Sequence, residues 1–228
     1  MSTGTVAAFF DIDHTVLEIN SGTKWVGYQW KSGRMSLVEL LRAVWWSGQY
    51  RFGWLDFDAM AGRVIAQYEG QDVEPIERDV QAWFHREVEW AICTEARRQI
   101  EHHRREGHLI ALLTSATRFL SWPVARALEI DHVLCTEVEE RDGRFTGKFV
   151  PPACYGPGKV ELAERFAEVH GIDLEASYFY SDSVSDLPML ARVGQPRVVN
   201  PDPRLRRRAA ALGWSVETWT APRTEAAS

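Results

Sequence analysis

Two aspartates stand two residues apart where an apolar run of the sequence ends. Residues 6–10 are short, apolar and typical of a buried strand, and Asp11 and Asp13 follow them directly. A carboxylate beside such a strand costs several kcal/mol to desolvate unless a cation or hydrogen bonds compensate. The carboxyl ends of strands in open α/β sheets line the ligand-binding crevice. The pair therefore points to a bound cation and to chemistry, with a simple turn or cap as the structural alternative.

Polar side chains also follow three later elements of the predicted fold. Each one ends an apolar strand or begins a helix: Thr114, Ser115, Lys159, Asp182 and Asp186. Parallel strands that point the same way bring their ends to one crevice, so these groups are expected to meet the first pair. Carboxylates suit Mg²⁺, while hydroxyl and ammonium groups suit phosphate oxygens. Such a set serves phosphoryl transfer, where catalysis is mostly positioning and neutralisation of charge.

In this order the residues resemble the four motifs of the haloacid dehalogenase superfamily, and more narrowly its phosphoserine-phosphatase-like branch, subfamily IB. The first motif, Asp-x-Asp-x-Thr, matches residues 11–15. The hydroxyl of the second motif matches Thr114, the lysine of the third matches Lys159, and the acids of the fourth match Asp182 and Asp186. One such motif is a weak signal, whereas four in order span nearly the whole chain.

The resemblance implies a phosphatase that forms an aspartyl-phosphate. Asp11 would attack phosphorus, and Asp13 would protonate the leaving alcohol and then activate water. Mg²⁺ would be the cofactor, held by Asp11, the backbone carbonyl of Asp13 and Asp182. Asp186 would support the metal shell or orient Lys159.

The resemblance also implies a phosphate-binding set made of Thr114, Ser115 and Lys159. Taken singly, a threonine after a strand is usually a turn or cap residue, and a lysine at a helix start is usually solvated. Whether Thr114 or Ser115 presents the key hydroxyl is open. Thr114 is favoured because it directly ends the apolar run, with Ser115 lending its backbone N–H.

The substrate is where the chain departs from this branch. Phosphoserine phosphatases that resemble it carry a glutamate seven residues after the second aspartate, and this chain has Asn20 there. Phosphoserine is therefore not the expected substrate, and Asn20 is a candidate specificity residue. Arg63 is a second candidate, for a charged part of the substrate, although surface arginines are usually just solvated.

The elements that must position these residues alternate between strand and helix. They predict an α/β fold, a Rossmann-like doubly wound parallel sheet with an inserted all-helical cap of the C1 type. Residues 1–17 and 91–228 are expected to form the catalytic core. Residues 18–90, which carry seven of the ten tryptophans and a helical apolar pattern at 37–45, are expected to form the cap. An edge strand is predicted at 196–199.

Composition limits the classes of function. A net charge of −6 and a pI near 5.7 argue against a nucleic-acid surface. No stretch approaches the roughly 18 apolar residues of a membrane span, and the first residues lack a leader pattern. Three widely spaced cysteines suggest neither a disulfide framework nor a zinc site and fit a cytoplasmic protein. The expected partner is a small phosphate ester, and the sequence does not indicate an oligomeric state.

Two other functions would use a similar set of residues. A phosphomutase would form the same aspartyl-phosphate but pass the phosphoryl group to a sugar hydroxyl. A phospho-acceptor signalling domain would also phosphorylate a strand-end aspartate beside Mg²⁺. The helical insert of about 70 residues and the acid at Asp13 argue against a signalling domain, because it needs neither a lid nor a leaving-group acid.

Overall fold

The computed structural model describes residues 4–37 and 57–223, which contain eight strands and eight α-helices. The strands are β1 (Ala7–Phe10), β2 (Leu109–Thr117), β3 (His132–Thr136), β4 (Val138–Arg141), β5 (Arg144–Phe149), β6 (Tyr178–Ser181), β7 (Gln195–Val199) and β8 (Val216–Glu217). The helices are α1 (Ser21–Lys31), α2 (Phe57–Ala66), α3 (Val73–Glu87), α4 (Thr94–Arg105), α5 (Arg118–Ala127), α6 (Pro157–His170), α7 (Leu187–Arg192) and α8 (Pro203–Leu212). Short 3₁₀ turns lie at Glu89–Ala91 and Val184–Asp186.

Six strands form one parallel sheet in the order β3-β2-β1-β6-β7-β8. Phe10 at the end of β1 pairs with Leu112 of β2 on one side and with Tyr180 of β6 on the other. The strand order reverses between β1 and β6. In sheets of this kind the crevice at such a switch point is where ligands bind. The predicted doubly wound α/β sheet is confirmed.

The central strand β1 is buried on both faces, which explains its unbroken apolar sequence. Phe10 packs with α4 and α5 on one face, and Phe9 packs with α6, α7 and α8 on the other. Burying a phenylalanine side chain contributes about 2–3 kcal/mol, so this strand anchors both layers. Asp11 directly follows this anchored strand.

The described residues between β1 and α4 contain the helices α1, α2 and α3, which agrees with the predicted helical insert. Trp25 and Trp83 are buried and meet edge to face, with ring centroids 5.1 Å apart. Both belong to the same hydrophobic cluster as Phe10, so α1 and α3 pack directly on the sheet's core. The predicted helical positions at 40–45 and the tryptophans at 46 and 54 lie outside the described residues.

The hairpin of β4 and β5 packs on the insert. Its Phe145 shares a small hydrophobic cluster with Ile65 and Val73 of α2 and α3. The Gly70 N–H also donates to the carbonyl of Phe145, at 2.8 Å. The core-and-cap division at residues 17 and 90 stays a prediction, and these contacts join the hairpin to the insert.

Two strands differ from the sequence expectation. β2 does not stop at Thr114, which ends the apolar run, but continues to Thr117, with a shift of register against β3 after Leu113. The prediction that β7 is an edge strand is wrong. The chain returns after α8 and adds the two-residue strand β8 beside it. No helix among residues 4–37 and 57–223 has the length and apolarity needed to cross a membrane.

Candidate active site

Asp11 continues the sheet one residue beyond β1. Its N–H donates to the carbonyl of Tyr180 at 2.9 Å, which fixes its backbone at the switch point between β1 and β6. The residue is 7% exposed. Its Oδ1 accepts a hydrogen bond from the Lys159 ammonium at 3.0 Å. The expected strand-end carboxylate is therefore buried and paired with a cation.

Lys159 reaches the site because α6 begins with a tight local turn. Gly156 has a positive φ of 50° and Pro157 occupies the first helical position, where a missing N–H costs nothing. A Cβ at Gly158 would lie 2.0 Å from the carbonyl oxygen of Ala153, so only glycine fits there. This turn places the lysine in the first turn of α6, with its side chain 2% exposed.

The Lys159 ammonium bridges two carboxylates. Besides Asp11, it donates to Oδ2 of Asp186 at 2.7 Å. The Ser181 hydroxyl donates to the same Asp186 oxygen at 2.6 Å. Asp186 is 1% exposed. Of the two roles predicted for Asp186, these contacts favour orientation of Lys159.

Asp182 follows β6 as Asp11 follows the neighbouring β1. Its backbone carbonyl accepts a hydrogen bond from the N–H of Asp202 at 2.8 Å. Among residues 4–37 and 57–223, no hydrogen-bond donor contacts its carboxylate. A partly buried carboxylate without a donor is costly, so this side chain fits a cation that binds there.

The acids at the switch point carry more negative charge than one lysine balances. Burial raises the pKa of Asp11 from its ordinary value of 3.8 to about 7, although the charge of Lys159 lowers it. Burial, followed by the charges of Asp11 and Asp186, raises the pKa of Asp182 well above its ordinary value. Burial alone would lower the pKa of Lys159, but the two carboxylates beside it outweigh that effect and raise it.

A magnesium ion suits this imbalance. Within the described chain, no three or more carboxylate, imidazole or thiol side chains surround a single point, so a closed all-protein cage is not what these residues form. Mg²⁺ usually takes one or two carboxylates and completes its shell with waters and substrate phosphate oxygens. The carboxylates of Asp11 and Asp182, with the backbone carbonyl of Asp13, match that donor set.

Asp13 lies two residues from Asp11 but is held differently. Its Oδ1 accepts the backbone N–H of Ser21 at 2.8 Å, and its Oδ2 accepts the side-chain amide of Asn20 at 3.0 Å. Both donors belong to the start of α1. Burial raises the pKa of Asp13 above its ordinary value, and the hydrogen bond from Ser21 opposes this shift. The carboxyl group thus faces neutral donors, not a cation.

The two candidate specificity residues have different surroundings. Asn20 is the N-cap of α1: its Oδ1 accepts the N–H of Thr23 at 2.8 Å while its Nδ2 donates to Asp13. Both ends of the amide therefore have protein partners, which the sequence did not indicate. Arg63 is exposed on α2, and no contact among the described residues joins it to the acids. A role for either residue in substrate contact stays a prediction.

Thr114 and Ser115 lie at the same end of the sheet as Asp11. Thr114 is buried, and its hydroxyl oxygen accepts the N–H of Ala116 at 3.3 Å. The carbonyl of Ser115 accepts the hydroxyl of Thr136 at 3.1 Å. Both residues are therefore fixed where β2 loses register with β3, and the choice between their hydroxyls stays open.

Two residues near the site make contacts that the sequence did not predict. Ser181 supports Asp186 as described. Asp202 caps α8 and also accepts the N–H of Val184 at 2.7 Å, which ties the 182–186 loop to that helix. A signal for Asp202 does exist, because an aspartate directly before the proline that opens a helix is a typical N-cap. No local sequence pattern indicates the hydrogen bond from Ser181 to Asp186.

The chain is similar to known proteins in sequence and in fold. The sequence profile of the haloacid dehalogenase-like hydrolases matches residues 8–191. The chain belongs to this family. This hydrolase is 34% identical to a Streptomyces azureus protein named for inhibition of morphological differentiation, over 92% of the chain and 77% of the relative. It is also 29% identical to a histidinol-phosphatase of Neisseria meningitidis, over 92% and 96%, and 29% identical to a phosphoserine phosphatase of Mycobacterium tuberculosis, over 97% and 73%.

Solved structures share the fold of this hydrolase. A Bordetella pertussis protein of unknown function matches with a TM-score of 0.86 and 30% identity, over 94% of this chain and 99% of that one. A phosphoserine phosphatase bearing an analogue of the phospho-aspartyl intermediate matches with a TM-score of 0.68 at 16% identity, over 95% and 94%. The predicted superfamily and the hydrolase class are confirmed.

Proposed function

We propose that this hydrolase is a Mg²⁺-dependent phosphatase that cleaves a small organic phosphate monoester through an aspartyl-phosphate on Asp11. The observation that carries the proposal is the buried ammonium of Lys159 between Asp11 and Asp186 at the switch point of the sheet. A buried cation beside a strand-end carboxylate is what a negatively charged phosphoryl group needs on arrival. The relatives named as phosphatases support the same function.

In the first half-reaction, an Asp11 oxygen would attack phosphorus and the bond from phosphorus to the ester oxygen would break. Asp13 would donate its proton to that leaving oxygen, giving the free alcohol. The raised pKa of Asp13 supports this acid role, because the carboxyl group is more readily protonated near neutral pH.

In the second half-reaction, Asp13 would accept a proton from water as the water oxygen attacks the same phosphorus. The acyl phosphate bond would break, and Asp11 would leave as a carboxylate with inorganic phosphate as product. Lys159 would stay beside Asp11 in both steps, with Thr114 and Ser115 at the phosphate oxygens. Mg²⁺, held by Asp11, the Asp13 carbonyl and Asp182, would supply charge neutralisation when bound.

The helical insert is proposed to act as the cap of this site. The first turn of α1 contacts Asp13, while α1 and α3 pack on the core through Trp25 and Trp83. A cap in this place would exclude water while Asp11 is phosphorylated. Phosphoserine is a disfavoured substrate because Asn20 offers no carboxylate and its amide is already engaged. Histidinol phosphate belongs in the first substrate panel, since a relative of similar length is named for it.

The test is release of inorganic phosphate from p-nitrophenyl phosphate and from a panel of phosphorylated metabolites, with Mg²⁺ and with EDTA. We expect turnover that needs Mg²⁺ and falls by on the order of 10⁴-fold or more in Asp11→Asn. Asp131→Asn, which changes an exposed aspartate, is the matched control and should be fully active. Activity that survives in Asp11→Asn, or no phosphate release from any substrate, would overturn the proposal.

A further inference from the structure

The side chain of Asn20 makes two hydrogen bonds at once. Its oxygen accepts the backbone N–H of Thr23 at 2.8 Å, and its nitrogen donates to Asp13 at 3.0 Å. The first bond fixes the orientation of the amide, because the N–H of Thr23 is part of α1. The second bond passes that fixed orientation to a carboxyl group seven residues earlier in the chain.

Asp13 has a donor on each of its oxygens. Ser21 supplies a backbone N–H to Oδ1, and Asn20 supplies the donor to Oδ2. A carboxyl group held at both oxygens cannot rotate freely about its Cβ–Cγ bond. Its direction is therefore set by the first turn of α1, which also places the positive end of the helix dipole beside it.

A carboxylate at position 20 could not donate this hydrogen bond to Asp13. Aspartate or glutamate would lack the N–H donor and would place a second negative charge beside Asp13. Alanine would remove both the donor and the cap. Asparagine is suited to both bonds, because one amide carries an acceptor and a donor.

We infer that Asn20 is a positioning residue for the acid/base Asp13 and not a contact to the substrate. This inference rests on the proposed function, since it gives Asn20 a part in the proton transfer to the leaving oxygen. A misplaced proton donor slows expulsion of a poor leaving group far more than expulsion of a good one. A lost substrate contact would weaken binding of similar esters equally.

The experiment compares kcat/KM for phenyl phosphate and p-nitrophenyl phosphate, two esters of similar shape. Phenolate is the poorer leaving group and needs more proton transfer. We expect Asn20→Asp and Asn20→Ala to lower kcat/KM on phenyl phosphate by about 10²-fold. The loss of kcat/KM on p-nitrophenyl phosphate should be smaller, by a factor of ~10 or more. KM should change little. The ratio of the two kcat/KM values does not depend on the fraction of folded enzyme, so a destabilised variant still gives a valid ratio.

Two controls separate the donor from the cap. Asn20→Asp keeps an acceptor for the N–H of Thr23, while it removes the donor to Asp13 and adds a negative charge beside it. Thr23→Ala changes an exposed side chain in the same turn and leaves both bonds in place. Thr23→Ala should therefore show the wild-type ratio of the two kcat/KM values. In an Asp13→Asn background, Asn20→Ala should cause no further change of the ratio, because the group it positions is already absent.

The outcomes are distinct. Equal losses on both esters, a wild-type ratio in Asn20→Asp, or additive effects with Asp13→Asn would overturn the role of Asn20 while leaving the phosphatase intact. A wild-type enzyme that releases phosphate from no ester would overturn the proposed function itself. A steeper dependence on the leaving group in both Asn20 variants, absent in Thr23→Ala, would support the inference.

Discussion

Asp11 and Asp13 lie two residues apart, yet different parts of the molecule hold them. Asp11 is fixed by the sheet and by a lysine 148 residues away, which is itself bridged to Asp186. Asp13 is held by the first turn of α1, through an amide and a backbone N–H. The core therefore supports the proposed nucleophile, and the insert supports the proposed proton shuttle.

The two supports also differ in charge. Asp11 depends on a buried ion pair, whose desolvation is offset only while all its members are present. Asp13 depends on neutral donors, so its replacement by a neutral side chain leaves no buried charge unpaired. We expect damage on the Asp11 side to affect folding and activity together, and damage on the Asp13 side to affect activity alone.

The largest effect is expected from Lys159→Met. The buried carboxylates of Asp11 and Asp186 would lose their cation, so the free energy of unfolding should fall by about 3–5 kcal/mol. Phosphatase activity should fall by about 10²–10³-fold, as when a donor to a transition-state charge is removed. Urea unfolding in EDTA and phosphate release with Mg²⁺ measure the two effects.

Lys31→Met is the matched control for this variant, because Lys31 is exposed at the end of α1. Adding Asp186→Asn to Lys159→Met should restore part of the stability and none of the activity. If Lys159→Met unfolds like the wild type, Asp11 does not depend on the ion pair and the contrast between the two aspartates fails.

Asp13→Asn tests the other side of the comparison. We expect kcat on phosphates with poor leaving groups to fall by about 10²–10⁴-fold, because the acid and base are both removed. The urea midpoint should stay near the wild-type value, since no ion pair is broken. Steady-state kinetics and unfolding of the same preparation give the answer. A loss of stability as large as that of Lys159→Met would contradict the division between core and insert.

The sequence predicted the Asp11 side better than the Asp13 side. Asp182 and Asp186 follow β6, and Lys159 lies in the first turn of α6. The convergence of parallel strand ends brings such positions together by a general rule. The bond from Asn20 to Asp13 follows no such rule. It requires the chain to turn back between residues 13 and 20 and α1 to begin at Ser21.

The same distinction explains the differences in the fold. The strand predicted at residues 6–10 matches β1 at Ala7–Phe10 closely, because its apolar pattern is a local signal. The hairpin contact with α2 and the two-residue strand β8 were missed because each depends on a distant partner. Elements with a strong local pattern could be read from the sequence, whereas short pairings set by tertiary packing could not.

A buried histidine in α4 gives a smaller, pH-dependent effect. His103 lies with Nε2 2.9 Å from the hydroxyl of Tyr180 and Nδ1 2.8 Å from Nδ1 of His108. Burial, with the neighbouring His108, lowers the pKa of His103 from 6.5 to about 4. The unfolded chain therefore binds this proton first, so the contribution is present above pH 6.5 and is lost as the pH falls towards 4. The loss is about 3 kcal/mol at most.

Urea unfolding between pH 7 and pH 4 compares the wild type with His103→Gln. The variant should lose less stability than the wild type over this range, because it has no proton to take up. His102→Gln, at an exposed position in the same helix, should follow the wild type. Parallel curves for the wild type and His103→Gln would show that this histidine does not contribute to the acid sensitivity of the fold.

The smallest effect concerns Mg²⁺ and separates the acids within the site. Binding to the folded state alone should stabilise the protein by about 1.4 kcal/mol at a Mg²⁺ concentration ten times its dissociation constant. Asp182→Asn should abolish this gain, because it removes a ligand carboxylate. It should also raise the stability without Mg²⁺, since burial and the charges of Asp11 and Asp186 make a charged Asp182 costly.

Asp13→Asn should keep the stability gain from Mg²⁺, because only its backbone carbonyl is expected to face the ion. Thermal unfolding with Mg²⁺ or EDTA measures all three proteins, and a gain lost in Asp13→Asn but kept in Asp182→Asn would place the cation on the insert side of the site instead.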